Sequence, residues 1–285
     1  MNAFKTMHPL VNLVYFVAVI IFSVKLMNPL CIATSLFSSL SYLILLKSRF
    51  KKWTAPLIVA ISILYPLFNH EGSTILAYFP DDNPLTKESI IYGFAMSMKV
   101  TSTLCWLICS IRVMTTDKLL YLSGKIHPSL SLIFSMTLRF TPRFVKRMRE
   151  TFRFKNAISG TNILKRPSLW LSVFSMTVTW SAENSIDLSD SMKSRGYGTG
   201  KRTFFSPYSF KKGDLYSITV ILILLLLIFV FLATGHMKFR YFPLACFSFD
   251  TITGFTAYFV FCMFPIFTEI YQNSKLKVAI LKCNL

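Results

Sequence analysis

The chain has 285 residues, is 53% hydrophobic with a mean hydropathy of +0.53, and carries a formal charge of +19 from 31 Lys and Arg against 12 Asp and Glu. An ordinary soluble domain does not combine those values, and a nucleic-acid-binding protein this basic would not be so apolar. They agree when apolar segments lie in a bilayer and the charge collects in loops and in a domain beside it.

Long apolar runs follow along the chain at about Pro9–Met27, Pro29–Leu46, Trp53–Phe68, Ser89–Ile111, Ile218–Thr234 and Tyr241–Ile270. Each is near the roughly 20 residues with which a helix crosses the hydrocarbon. The sequence therefore predicts an all-α integral membrane protein of about six transmembrane helices. The third run is the shortest and holds Pro56 and Pro66, which membrane helices tolerate better than soluble ones. Lys5 precedes the first run as in a signal peptide, but no small-residue cleavage site follows it and a second run comes at once. That run is read as an uncleaved helix.

Lys47, Arg49, Lys51 and Lys52 lie between runs two and three, whereas Glu71, Asp81, Asp82 and Glu88 mark the loop between three and four. The positive-inside rule puts the first loop in the cytoplasm and the second outside. Three segments result: residues 1–111 with about four helices, a cytoplasmic domain over 112–213, and residues 214–285 with about two helices and a basic tail (Lys275, Lys277, Lys282). Lys238 and Arg240, between the last two runs, oppose this orientation and are outnumbered. Cys31, Cys105, Cys109, Cys246, Cys262 and Cys283 form no CxxC pair and read as membrane-packing residues. Lys99 lies mid-run, either as a buried functional charge or as one reaching the interface. His70, Glu71, Asp81 and Asp82 read as scattered polar residues of an outer loop rather than a metal site.

Residues 112–213 hold more than half of the Lys and Arg and are too many for a simple connection. His127-Pro128 and Thr141-Pro142 both read as helix starts, with Thr141 able to cap the second. From Thr141 a basic amphipathic helix is expected to end at Gly160. Phe140, Phe144, Met148 and Phe152 line one side of it, and Arg143, Lys146, Arg147, Arg149 and Arg153 the rest. A further helix is expected over about Ser168–Ser194, ended by Gly196, with Glu183, Asp187 and Asp190 on one face. These acids are expected to pair with Arg139, Arg143 or Arg147 rather than to hold a metal.

The stretch SMKSRGYGTGKRT, Ser191 to Thr203, contains Gly-Thr-Gly-Lys. It is not a phosphate-binding loop. Arg195 stands where the first glycine belongs, and Arg202 follows Lys201 where Ser or Thr is needed. Arg195 instead falls at a helix C-terminus, where the dipole favours a cation and the side chain can project past the end.

The segments HPLVNL (His8–Leu13), PLFNHEGSTIL (Pro66–Leu76), MTTDKLLYLSGKIHPSLSLIFSMTLRFTPRF (Met114–Phe144) and TWSAENSIDLSDSMKSRGYGTGKRT (Thr179–Thr203) together resemble the transmembrane T component of energy-coupling factor transporters, a family related to cobalt-transport permeases. The resemblance implies two long crossing coupling helices between spans four and five, each ending in a small-Arg-small motif that docks into one of two ABC-type ATPase subunits. It implies an importer for a vitamin or transition-metal ion in a bacterial or archaeal cell membrane, in which a separate membrane S component binds substrate. This chain would then be a non-catalytic coupling subunit with no cofactor, metal or nucleic-acid partner of its own. Ser194, Arg195 and Gly196 match the second motif, continued by Tyr197, Gly198, Arg202 and Thr203. At the first, Ala157, Ile158, Ser159 and Gly160 occupy the helix end, so Ile158 stands where Arg is common, and Arg153 or Lys155 would have to supply the charge. The rival readings are a membrane transferase holding a metal and diphosphate on Asp81 and Asp82, and a basic membrane-associated scaffold whose cytoplasmic helices bind anionic lipid.

Overall fold

The computed structural model describes residues 3–48, 52–68, 74–78, 84–159, 167–200, 208–234 and 252–283. The described residues are all-α apart from one short hairpin, and the chain divides into two compact units, Met1–Thr116 with Tyr208–Leu285, and Asp117–Pro207.

In the first unit α1 (Ala3–Thr6), α2 (Pro9–Lys25), α3 (Pro29–Leu45) and α4 (Thr54–Phe68) lead to a hairpin of β1 (Ile75–Tyr78) and β2 (Pro84–Thr86), then to α5 (Lys87–Val113). After the second unit, α9 (Lys212–Ala233) and α10 (Ile252–Cys283) complete it. Helix starts follow local chemistry. The His8 and Asn28 side chains accept from Leu10 N–H (3.2 Å) and Leu30 N–H (3.1 Å), each ahead of a proline in the first turn. Thr86 does the same for Ser89 N–H (3.3 Å) at α5. Asp214 joins two starts at once: its carboxylate accepts from His8 N–H (3.2 Å) and from Lys211 N–H (3.1 Å), tying α2 to α9.

Among the described residues three helices are long and apolar enough to cross a membrane: α5, α9, and Gly254–Tyr271 of α10. Leu222, Ile223, Leu226 and Phe229 of α9 are all exposed, an apolar surface that hydrocarbon would cover. The chain thus has the features of a membrane-associated protein. Helices α2 and α3, at 17 residues each, and Thr54–Tyr65 of α4 are apolar but shorter. α10 continues through Cys283, so Lys275, Lys277 and Lys282 lie on a helical extension beyond its apolar part. The start of the expected run at Tyr241, together with Lys238, Arg240, His70, Glu71, Asp81 and Asp82, falls outside the described residues.

α5 packs against α2, α3 and α4, with Trp106 at the centre. Its indole N–H donates to Ser35 Oγ (3.2 Å) on α3, and its ring stacks on Tyr42. Cys31, Cys105, Cys109 and Cys262 are buried in the same core. Pro265, inside α10, has no N–H for the carbonyl of Phe261, and the Tyr15 hydroxyl fills that vacancy, donating to Phe261 O (3.3 Å) and Cys262 O (3.2 Å). Tyr15→Phe should therefore leave a buried carbonyl unpaired and cost about 1–3 kcal/mol, read as lowered thermal stability in detergent.

Lys99 is 9% exposed, and its Nζ lies 3.5 Å from Met27 Sδ, in the connection between α2 and α3. The Lys99 side chain is thus enclosed by the protein at the α2–α3 connection.

Candidate functional site: two helix ends of the basic hairpin

The second unit consists of α6 (Thr116–Ile126), whose first residue belongs to the other unit, with α7 (Pro128–Ser159) and α8 (Pro167–Ser194). α7 is one continuous helix of 32 residues, not two starting at Pro128 and Pro142. Thr141 is not a cap. Its hydroxyl bonds back to Thr137 O (2.7 Å) within the helix. Pro142 removes the bond that Leu138 O would accept, but Leu138 and Pro142 are both exposed, so water can satisfy that carbonyl.

α7 and α8 pack antiparallel. Phe140 stacks on Trp180 (5.9 Å between ring centroids, 17° between planes), whereas Phe152, further along α7, meets Trp170, earlier on α8 (5.6 Å). Lys155 donates to Ser172 Oγ, and the Arg147 guanidinium lies over the Trp180 ring, 5.7 Å from its centroid. Because the helices run in opposite directions, their two C-termini lie at opposite ends of the hairpin, separated by roughly one helix length, about 40 Å.

α8 ends in a Schellman motif built from backbone alone. Gly196 N–H donates to Lys193 O (2.9 Å) and Tyr197 N–H to Met192 O (3.0 Å), with Gly196 at φ +81°. This makes Arg195 the C-cap residue. It is exposed, with Ser194 and Gly196 exposed on either side, and forms no ion pair among the described residues. The guanidinium is thus held at the helix tip without being needed to close it. A Cβ on Gly196 would meet only Thr199 Oγ1, at an ordinary 3.5 Å, so the cost of substitution is conformational. Gly196→Ala should lose about 1–2 kcal/mol and Gly196→Asn clearly less, measurable as fraying of residues 190–197 by hydrogen exchange.

The end of α7 is chemically different. Ile158 is 86% exposed and Phe154, one turn earlier, 70%, with Ala157 and Arg153 exposed beside them. Lys155 is turned toward α8, which leaves Arg153 as the cation near this end. Ser159 is the last helical residue; Gly160, like Arg202 beyond α8, lies outside the described residues.

The expected pairing between α8 acids and α7 arginines is not made. Glu183, Asp187 and Asp190 are exposed, and Asp190 pairs with Lys193 on its own helix (3.8 Å). Arg147 is 3.9 Å from Glu150, and Arg139 and Arg143 point to solvent. The helices meet through aromatic rings, and that rotation turns both charged faces outward. Sequence reading placed Phe140 and Phe152 on one side of a helix but missed Trp170 and Trp180 as their partners, which the apolar first half of α8 conceals among many apolar neighbours. It also missed Phe154, which breaks the every-fourth pattern. Among the described residues no three His, Cys, Asp or Glu are placed to hold a metal.

Neither a protein-family model nor a curated protein matches the chain.

Proposed function

We propose that the chain is the transmembrane coupling subunit of an ATP-driven importer of the energy-coupling factor type. In this reading the three long apolar helices and the three shorter ones make six spans, and the α7–α8 hairpin lies in the cytoplasm. Two ATPase subunits dock at its two helix ends. Their closing and opening would move the hairpin ends, and through them a separate substrate-binding membrane subunit. The substrate class is a vitamin or transition-metal ion, the site for which would be on that other subunit.

The observation that carries this reading is Arg195: an exposed cation between two small residues at a helix tip whose cap is made entirely by backbone. Such a tip enters an acidic groove without unfolding, and each charge-assisted hydrogen bond made there contributes about 1.5–3 kcal/mol. The distance between the two helix ends supports two separate partners rather than one. The chain itself supplies no catalytic group in this scheme.

Co-expression with candidate ATPase subunits, followed by purification of the chain from detergent, tests the proposal. ATPases retained through purification support it; their loss from a well-folded native chain overturns it. In that event alanine at Asp81 and Asp82 would next test the transferase alternative.

A further inference from the structure

The hairpin carries a second charged surface, which shares only Arg153 with the helix-end reading. α7 turns Phe140, Arg147, Phe152 and Lys155 toward α8, and a different face, lined by Leu138, Pro142, Val145, Lys146, Arg149 and Arg153, forms an open groove. Lys146, Arg149 and Arg153 repeat at intervals of three and four residues, which places them along one stripe of the helix. The remaining lining residues are Thr141, whose hydroxyl is bonded within the helix, and Glu150, whose carboxylate is shared between Lys146 (4.0 Å) and Arg147 (3.9 Å). Arg149 and Arg153 stay exposed, with no ion-pair partner among the described residues. The groove is therefore a cationic edge beside an apolar floor, a surface that fits phosphate groups next to acyl chains.

We propose that this face of α7 rests on the anionic lipid headgroups of the membrane that holds the chain. A bilayer is favoured over an acidic protein because of how the hairpin is tethered. α5 ends at Val113 and α9 begins at Lys212, and both are long and apolar enough to cross a membrane. A segment held at both ends by such helices stays within reach of one leaflet. There each Lys or Arg adds to the attraction of an anionic surface, and the attraction fades within a Debye length as salt rises. The groove binds independently of any ATPase.

Hydrogen exchange of the full chain in nanodiscs tests this, with phosphatidylcholine alone compared with a mixture containing phosphatidylglycerol and no ATPase present. Exchange over residues 138–153 is expected to slow by about threefold or more in the anionic discs, to recover in 0.5 M salt, and to be unchanged over residues 183–190 of α8. The triple variant Lys146→Gln, Arg149→Gln, Arg153→Gln should lose the slowing. The salt titration on the native chain gives the same test should that variant fold poorly. Equal exchange in the two lipids overturns the proposal, as does slowing that survives 0.5 M salt. Slowing in neutral discs only on adding an acidic helical peptide would also overturn it and assign the groove to a protein.

Discussion

Under the proposed coupling role, Arg195→Glu should prevent an ATPase from docking at the α8 end while leaving the chain folded. The two hydrogen bonds that close α8 run from Gly196 and Tyr197 backbone to Lys193 and Met192 carbonyls, so no bond that ends the helix passes through the Arg195 side chain. Losing a guanidinium that makes two charge-assisted bonds removes at least about 3 kcal/mol of binding, and a carboxylate in an acidic groove adds repulsion. Affinity should fall by about a hundredfold or more. Arg195→Lys keeps the charge but not the planar fork, and an intermediate loss of about tenfold is expected. Lys193→Glu, two residues away and equally exposed, should cost little. Titration of the detergent-purified chain with ATPase, using the four proteins side by side, reads these differences directly. Comparable losses at Arg195 and Lys193 would mean that general charge, and not the helix tip, governs binding.

Ile158→Glu is the second large effect, and it addresses a contact of another kind. Ile158 and Phe154 sit one turn apart on the end of α7 with most of their surface in water. If this end docks, it does so by burying apolar surface, each side chain contributing about 1.5–3 kcal/mol. Placing a carboxylate at 158 should weaken ATPase binding by about tenfold to a hundredfold, whereas Ile158→Leu should change it by less than about threefold. Phe154→Ala should approach the Glu variant in effect. The two ends then call for different sockets, an acidic groove for Arg195 and an apolar one for Ile158. Loss of one ATPase copy per chain with Ile158→Glu, and of the other with Arg195→Glu, is the expected pattern in native mass spectrometry.

Much of this arrangement was written plainly in the sequence. Apolar runs located α2 to α5 and α9 because each is a sustained stretch of apolar side chains, which a linear reading captures. The end of α8 was equally legible, since Gly196 after a long helical pattern admits the positive φ that a Schellman closure needs. The continuity of α7 was not. Thr141-Pro142 has the form of a cap followed by a first-turn proline, and only the exposure of Leu138 and Pro142, together with aromatic contacts before and after Pro142 at Phe140 and Phe152, decides for one helix. The fate of the three α8 acids was hidden for a similar reason. Their spacing fixes a common face, but which way that face turns depends on how Trp170 and Trp180 seat against α7, a tertiary choice. The hairpin of β1 and β2 was missed because two strands of four and three residues leave too little alternation to read.

The measurement that bears most directly on the coupling role is native mass spectrometry of the native chain purified with its candidate ATPases. The account requires a complex of one chain with two ATPase subunits, bound whether or not a substrate-binding subunit is present. A well-folded chain that emerges without any ATPase would contradict it.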